Sequence, residues 1–405
     1  MKKTGLLFLS TLFLVGGSIL SVSNERPSPV LATKLPTVIN VKDATVEEVR
    51  NYYSSIGNDK KGQGLLDALH EVIKDHTTFS ADQDWNAFKI VNRDWEQSPL
   101  SEAQLKNYSA SEDNPYVHIL YRDDNGKPTA AHANDTHGQV IDREHVWPKA
   151  FGGFDYDAPA GSDLHHLMPG DSTNNQQGHN NNFYGNTGLE KPNIGTEEKH
   201  NLTGRKTSIK GKGGNDYFLY EPQDSDKGDI ARACFYMAAR YSVFTSATDP
   251  FLQLTDEITD FSSTTYAATP EKPGKLGLVS ALLEWHHLDP VDDFEIHRNN
   301  LIFNNYQHNR NPFIDFPDWV DIAFNKVDRA ADPSKDIVAE KGQQRQGIII
   351  SSTTQSATSQ QSSSKDDRSG GDGINMSAAT AVVVIIFVAL MLVVWFIARS
   401  KKSKK

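Results

Sequence analysis

Apolar residues return at helical spacing in three separate stretches of this chain. Leu65, Leu66, Leu69, Val72 and Ile73 form one face, residues 229–244 carry a second and 276–287 a third, and each predicts a helix with one apolar side. Residues 116–121 differ. They are rich in β-branched and aromatic side chains and run into Asp124-Asn125-Gly126, which predicts a strand entering a hairpin turn. No stretch repeats another. Helices mixed with short strands imply an α+β fold.

The two ends break the pattern. Lys2 and Lys3 precede an apolar run from Leu6 to Leu20, the layout of a secretory signal peptide. Cleavage after Ala32 would define it as residues 1–32, with a site near Ser23 as the alternative. At the other end, residues 378–398 carry no charge and number about twenty, enough to span about 30 Å of hydrocarbon. Arg399, Lys401, Lys402, Lys404 and Lys405 follow at once. Basic residues concentrate on the cytoplasmic side, so 377–398 reads as a single-pass anchor, 399–405 as a cytoplasmic tail, and the body as lying on the extracellular face of the membrane. A sortase signal would need a Leu-Pro-x-Thr-Gly-type motif before the span, and none precedes it. Residues 350–375 consist mainly of Ser, Thr, Gln, Asp and Gly, too little apolar surface to offset the entropy of ordering, and are expected to be a disordered stalk. Residues 33–44 read as a polar lead-in and 328–346 as a frayed exit.

What remains between the ends is about 290 residues, enough for one large or two small cores; we place the folded domain at 45–325. The single cysteine, Cys234, excludes an internal disulfide. It belongs to the helical set Ile230, Ala233, Cys234, Met237 and Tyr241, so it is expected as a small buried hydrophobe. An exported chain without cysteine pairs fits a Gram-positive type of envelope.

The densest chemistry lies at Asp142-Arg143-Glu144-His145-Val146-Trp147-Pro148, followed by Asp163-Leu164-His165-His166-Leu167 and then Asn175. A carboxylate beside an imidazole, with a carboxamide downstream, is what cleavage of a phosphodiester calls for. One group must activate water, and a divalent cation must neutralise the charge that builds on phosphate and leaving oxygen. A carboxylate and a carboxamide can hold Mg²⁺ at one edge and leave the other open. The adjacent imidazole stays free to take a proton, since it titrates near neutral pH.

These segments resemble the bacterial endonuclease I family of secreted, non-specific nucleases, built around a ββα-metal (His-Me finger) site. Two further stretches carry the same resemblance: Lys227-Gly228-Asp229-Ile230-Ala231-Arg232-Ala233 with Phe235-Tyr236-Met237, and Leu283-Glu284-Trp285-His286 leading to Asp289-Pro290 and on to Asn309-Arg310-Asn311-Pro312-Phe313-Ile314-Asp315. The resemblance implies that His145 is the general base, that Glu144 and Asn175 hold the metal (Mg²⁺, with Mn²⁺ or Ca²⁺ as alternatives), and that a helix-rich α+β domain surrounds them. Beyond the resemblance, residues 140–141 read as the strand end presenting Glu144 and His145, with Asn175 opening a helix opposite. Family members commonly follow that Asn with two basic residues, whereas this chain reads Gln176-Gln177-Gly178-His179-Asn180. The group that grips the scissile phosphate is therefore open among Arg143, Lys149 and His179. Asp163, His165, His166, His179 and Asn180 are expected around the metal ligands or the substrate.

The formal net charge of −11 runs against a nucleic-acid substrate, because such affinity comes from Lys and Arg neutralising phosphates. Binding depends on the local field rather than the total. Arg205, Lys206, Lys210 and Lys212, within a glycine-rich loop at 204–214, are candidates for phosphate contact. Trp285 and Trp319 are expected in the core rather than as stacking platforms. The expected function is a cell-surface, metal-dependent endonuclease acting on DNA, RNA or both without strong sequence specificity and without an obligate protein partner. A nucleic-acid-binding receptor or adhesin on a degenerate nuclease fold is the alternative. A metallopeptidase is disfavoured because His165, His166, His286 and His287 lack His-Glu-x-x-His spacing.

Overall fold

The computed structural model describes residues 34–342 apart from 124–127, 133–139, 157–158, 192, 195–203, 212–213, 247–248 and 259–267. The segments expected as signal peptide, stalk, anchor and tail, the expected turn at 124–126 and Lys212 lie outside the described residues. In chain order the described elements begin with α1 (Val46–Tyr52), α2 (Gln63–Ile73), α3 (Ala81–Val91) and α4 (Glu102–Lys106). Strands β1 (Tyr116–Asp123), β2 (Pro128–His132) and β3 (Ile141–His145) follow, then the short α5 (Lys149–Gly152) and β4 (Leu167–Asp171). After β5 (Phe183–Tyr184), β6 (Arg205–Lys210) and β7 (Asp216–Glu221) come α6 (Lys227–Arg240), β8 (Leu252–Leu254), β9 (Gly274–Leu276), α7 (Val279–Leu288), α8 (Asp293–Asn305), α9 (Pro312–Asp315) and α10 (Trp319–Phe324). Helices and strands mix along the chain, as an α+β fold requires.

Helix α6 is the axis of the larger core. Every one of its residues except Asp229 is buried, so it is enclosed on all sides rather than amphipathic. The apolar period at 229–244 locates it, but the helix stops at Arg240. Gly228 at its start is required by packing: a Cβ there would lie 1.9 Å from the Asp289 carbonyl oxygen. The expected apolar face of α2, including Leu65, Leu69 and Ile73, packs into the same core. Cys234, Trp285 and Trp319 are fully buried there. The two indoles need acceptors once desolvated; Trp285 Nε1 donates to Asn186 Oδ1 at 2.7 Å and Trp319 Nε1 to Asp336 Oδ2 at 2.6 Å.

That second bond corrects the reading of 328–346 as a frayed exit over its described part, 328–342. Asp336 is tied to Trp319, and Ala331 and Val338 are buried in the same core. The lead-in at 33–44 is also partly ordered by packing: Ile39 is buried and its N–H donates to the Leu105 carbonyl at 2.8 Å. A smaller core gathers Phe79, Phe88, Leu164, Leu301, Ile302 and Tyr306 between α3 and α8.

Among the described residues, three small sheets complete the body. The first has the order β2-β1-β4-β3, with β4 parallel to β1 and antiparallel to β3. The second has the order β5-β7-β6, and β8 and β9 form a parallel pair. Residues 205–210, expected as part of a loop, are a strand paired antiparallel with β7. Its positions, half-buried or exposed and none buried, belong to an edge strand that the many Lys residues and glycines around it disguise in the sequence.

Candidate active site

Strand β3 runs antiparallel to β4 with Glu144 opposite Met168 and His145 opposite Leu167. Two residues after β4 the chain enters a short π-helix, Asn174–His179, closed by the Asn180 N–H donating to the Asn175 carbonyl at 2.7 Å. Asp171 Oδ1 starts this helix by accepting the N–H groups of Thr173 and Asn174, each at 3.0 Å. A strand pair and one helical segment thus place Glu144, His145 and Asn175 on one cleft of about 720 Å³, together with Asp142, Arg143, Lys149, Tyr156 and Asn180.

Successive strand residues project to opposite faces, so Glu144 and His145 find different partners. His145 packs beside Phe154 and His166, and its Nε2 lies 2.9 Å from the Gly161 carbonyl oxygen. A carbonyl can only accept, so Nε2 carries the hydrogen and Nδ1 is the basic nitrogen. Burial, with His166 and the nearby cations Lys149 and Arg143 adding to it against the Gly161 bond, holds the imidazole well below its ordinary pKa. The ring is neutral at pH 7 and able to accept a proton.

Glu144 is buried on the other side. Its Oε1 accepts from the Tyr121 hydroxyl at 2.7 Å and from His179 Nδ1 at 2.5 Å. Its Oε2 makes no hydrogen bond among the described residues, which leaves one carboxylate oxygen for another ligand. Asn175 is held loosely, its Nδ2 lying 3.5 Å from the Arg143 carbonyl oxygen.

The structure sorts the remaining candidates. Arg143 and Lys149 both line the cleft and both approach the half-exposed Tyr156 ring, at 4.9 Å and 3.0 Å from its centroid. Tyr156 lies 5.4 Å from the His145 ring. His179 is fully buried beneath Glu144, so it orients the carboxylate and is removed from the candidates for gripping phosphate. His166 supports the site from below, donating from Nε2 to the Ala160 carbonyl at 2.6 Å and accepting the Trp147 N–H at 3.3 Å on Nδ1. Asn180 lies on the cleft rim.

Asp163 and His165 do not belong around the ligands, contrary to the expectation from the sequence. Asp163 accepts from the Tyr236 and Tyr241 hydroxyls at 2.8 and 3.0 Å and from Gln307 Nε2 at 3.0 Å. Burial alone would raise its pKa, but the surrounding histidines and the Gln307 bond hold it well below the usual carboxylate range. His165 Nε2 donates to the Asn309 carbonyl at 3.2 Å, and burial lowers its pKa to about 4. Both residues tie the loop before β4 to α6 and to the chain after α8. The candidate basic arm is also reassigned in part: Arg205 pairs with Glu221 at 3.4 Å, and Lys206 donates to the Gln177 carbonyl at 3.1 Å. Tyr121, Gly161 and Tyr156 went unnoticed in the sequence. Tyr121 precedes Glu144 by 23 positions, and no local spacing connects them.

An antiparallel pair of strands followed by a helical segment presents a carboxylate, an imidazole and a carboxamide to one cleft. The chain belongs to the endonuclease I family, whose model matches residues 62–318. It is similar to the extracellular ribonuclease of Bacillus amyloliquefaciens, with 35% identity over 280 residues, covering 68% of this chain and 78% of that protein. It is also similar to the extracellular ribonuclease of Bacillus subtilis (strain 168), with 34% identity over 284 residues, 69% of this chain and 80% of the relative. No solved structure matches.

Proposed function

We propose that this protein is an exported, metal-dependent endonuclease that hydrolyses phosphodiesters of DNA, RNA or both without strong sequence specificity. The observation that carries the reading is the pairing of an imidazole whose tautomer is set by Gly161 with a carboxylate that keeps one oxygen free, on the same cleft. His145 Nδ1 takes a proton from water as the water oxygen bonds to phosphorus and the P–O bond to the sugar breaks, the leaving oxygen taking its proton from solvent. Arg143 and Lys149 supply positive charge to the phosphate, and Tyr156 holds those two cations at the cleft wall. The RNA substrates implied by the names of the two relatives fit the same chemistry.

The donor set fits a hard divalent cation. Glu144 and Asn175 offer oxygen ligands only, and Mg²⁺ is commonly held by one or two protein groups while keeping several waters. Among the described residues no group of three or more His, Cys, Asp or Glu gathers as a metal site. When bound, the ion supplies charge stabilisation at the phosphate. Chelator is expected to abolish cleavage of plasmid and RNA, with Mg²⁺ or Mn²⁺ restoring it, and Asn175→Ala to raise the Mg²⁺ concentration for half-maximal rate. Activity surviving exhaustive chelation, or an unchanged metal titration in Asn175→Ala, would reject the ligand assignment.

The apolar run after Lys2 and Lys3, the polar tract at 350–375 and the uncharged run at 378–398 before five basic residues support export followed by retention at the membrane through a flexible stalk. Deleting 378–405 is expected to move the activity from the cell fraction to the medium. Full-length protein found free in the medium with its carboxy-terminal residues intact would refute the anchor.

A further inference from the structure

We propose that Tyr121 is the positioning residue that sets both metal ligands at once, an inference that rests on the assignment of Glu144 and Asn175 above. Three of its polar groups reach three different elements. The hydroxyl donates to Glu144 Oε1 at 2.7 Å. The carbonyl accepts from Asn174 Nδ2 at 2.7 Å, and Asn174 is the residue next to Asn175 in the π-helix. The N–H donates to Asp226 Oδ2 at 2.5 Å, and Asp226 leads into α6. A single buried residue therefore links the strand that carries one ligand, the helix that carries the other and the central helix of the core.

Backbone conformation supports this role. Tyr121 has φ 68°, in the left-handed region that costs a bulky residue free energy. That conformation persists only if the surroundings over-determine it, and here Asp226, Asn174 and Glu144 do so. Asp226 is itself fixed, since its Oδ1 accepts from Gln223 Nε2 at 2.8 Å.

The direction of each hydrogen bond follows from the chemistry. A carboxylate oxygen can only accept, so Tyr121 donates to Glu144 Oε1 and its own oxygen accepts from the Tyr184 hydroxyl 2.8 Å away. His179 Nδ1 donates to the same Oε1. With two donors on one oxygen, the carboxylate is turned so that the other is available to an ion. Gly170 opens the path. It stands on β4 between Leu120 of β1 and Asp142 of β3, and a Cβ there would come within 2.8 Å of Glu144 Cβ. The Asp226 contact also explains why the segment starting at Lys227 matters to a site that it does not line.

The test measures Mn²⁺ binding to the full chain without substrate, by the loss of the free-ion electron paramagnetic resonance signal, and then kcat at saturating Mn²⁺. Tyr121→Phe removes only the hydroxyl and is expected to weaken Mn²⁺ roughly tenfold to a hundredfold, with kcat at saturation largely retained. Tyr184→Phe removes a hydroxyl from the same buried cluster but none from Glu144, and is expected to bind Mn²⁺ as wild type does, because the ligand's own partners stay in place. Gly170→Ala is expected to weaken Mn²⁺ by displacing Glu144, with Tyr121 intact. If Tyr121→Phe titrates like wild type, or if Tyr184→Phe weakens Mn²⁺ as much as Tyr121→Phe, the positioning role is overturned. Glu144→Gln run alongside separates the levels: if it too binds Mn²⁺ like wild type, the metal assignment itself fails and the inference with it.

Discussion

His145→Ala is expected to lower the turnover of plasmid or RNA by a factor of roughly 10² to 10⁴, the usual contribution of a positioned general base. The neutral ring, the Nε2–H fixed on the Gly161 carbonyl and the Nδ1 left basic are the reasons. Metal binding should change little, because the Glu144 carboxylate is held from the opposite face by Tyr121 and His179. The mutant should still fold, since the lost ring, although buried, lines the cleft and makes one side-chain hydrogen bond. Initial rates with a thermal melt provide the check. A folded mutant cleaving at nearly the wild-type rate would remove His145 from the mechanism.

The largest effect on stability is expected at Arg232. This side chain has no exposed surface, and it meets Glu295 through Nε–Oε1 and Nη2–Oε2, both at 2.6 Å. Its Nη1 also donates to the Asp289 carbonyl at 2.8 Å. Removing one partner of such a pair strands the other in a medium that cannot solvate it. The Glu295 pKa is already raised by burial despite Arg232, and Asp229, also raised by burial, lies 3.6 Å from the guanidinium. Arg232→Ala is expected to cost about 3–5 kcal/mol, a drop in melting temperature on the order of 10 °C for a body of this size. Lysine should not rescue it, because one ammonium cannot reproduce the two-point contact. By contrast Lys106→Ala, which breaks only an exposed pair with Glu102, should shift stability by less than about 0.5 kcal/mol. Calorimetric melts of the three variants decide the matter, and an Arg232→Ala melt within 2 °C of wild type, against the ~10 °C expected, would refute the argument.

These two residues show how differently the segments shared with the family function. His145 lies on the cleft. Arg232, from the segment starting at Lys227, instead clamps α6 to α8. Asp289, after α7, accepts the Gly228 N–H at 3.0 Å. Arg310 grips Asp315 of the same segment through Nε and Nη2, at 2.8 and 2.7 Å. The segments beyond β4 and the π-helix therefore hold the scaffold. In the sequence all of them look alike as dense runs of polar residues among apolar ones.

By itself the sequence determined the elements that depend on local periodicity and the residues whose chemistry is local. The apolar spacing located α2, α6 and α7, and the β-branched run located β1, because helix and strand periods are properties of neighbouring positions. Glu144 and His145 were legible as a pair since they are adjacent, and Asn175 through its place in the family motif. Tertiary structure alone decided the rest. It gave His145 its tautomer from Gly161, 16 positions away, and Glu144 its orientation from Tyr121 and His179, 23 and 35 positions away. It enclosed α6 on every side, turned residues 205–210 from loop to strand, and moved Asp163 and His165 from the site into the scaffold. Each of these outcomes depends on which distant groups share a buried space. Burial makes every polar atom find a partner, and that partner's identity is fixed by the packing of the whole chain rather than by any window along it.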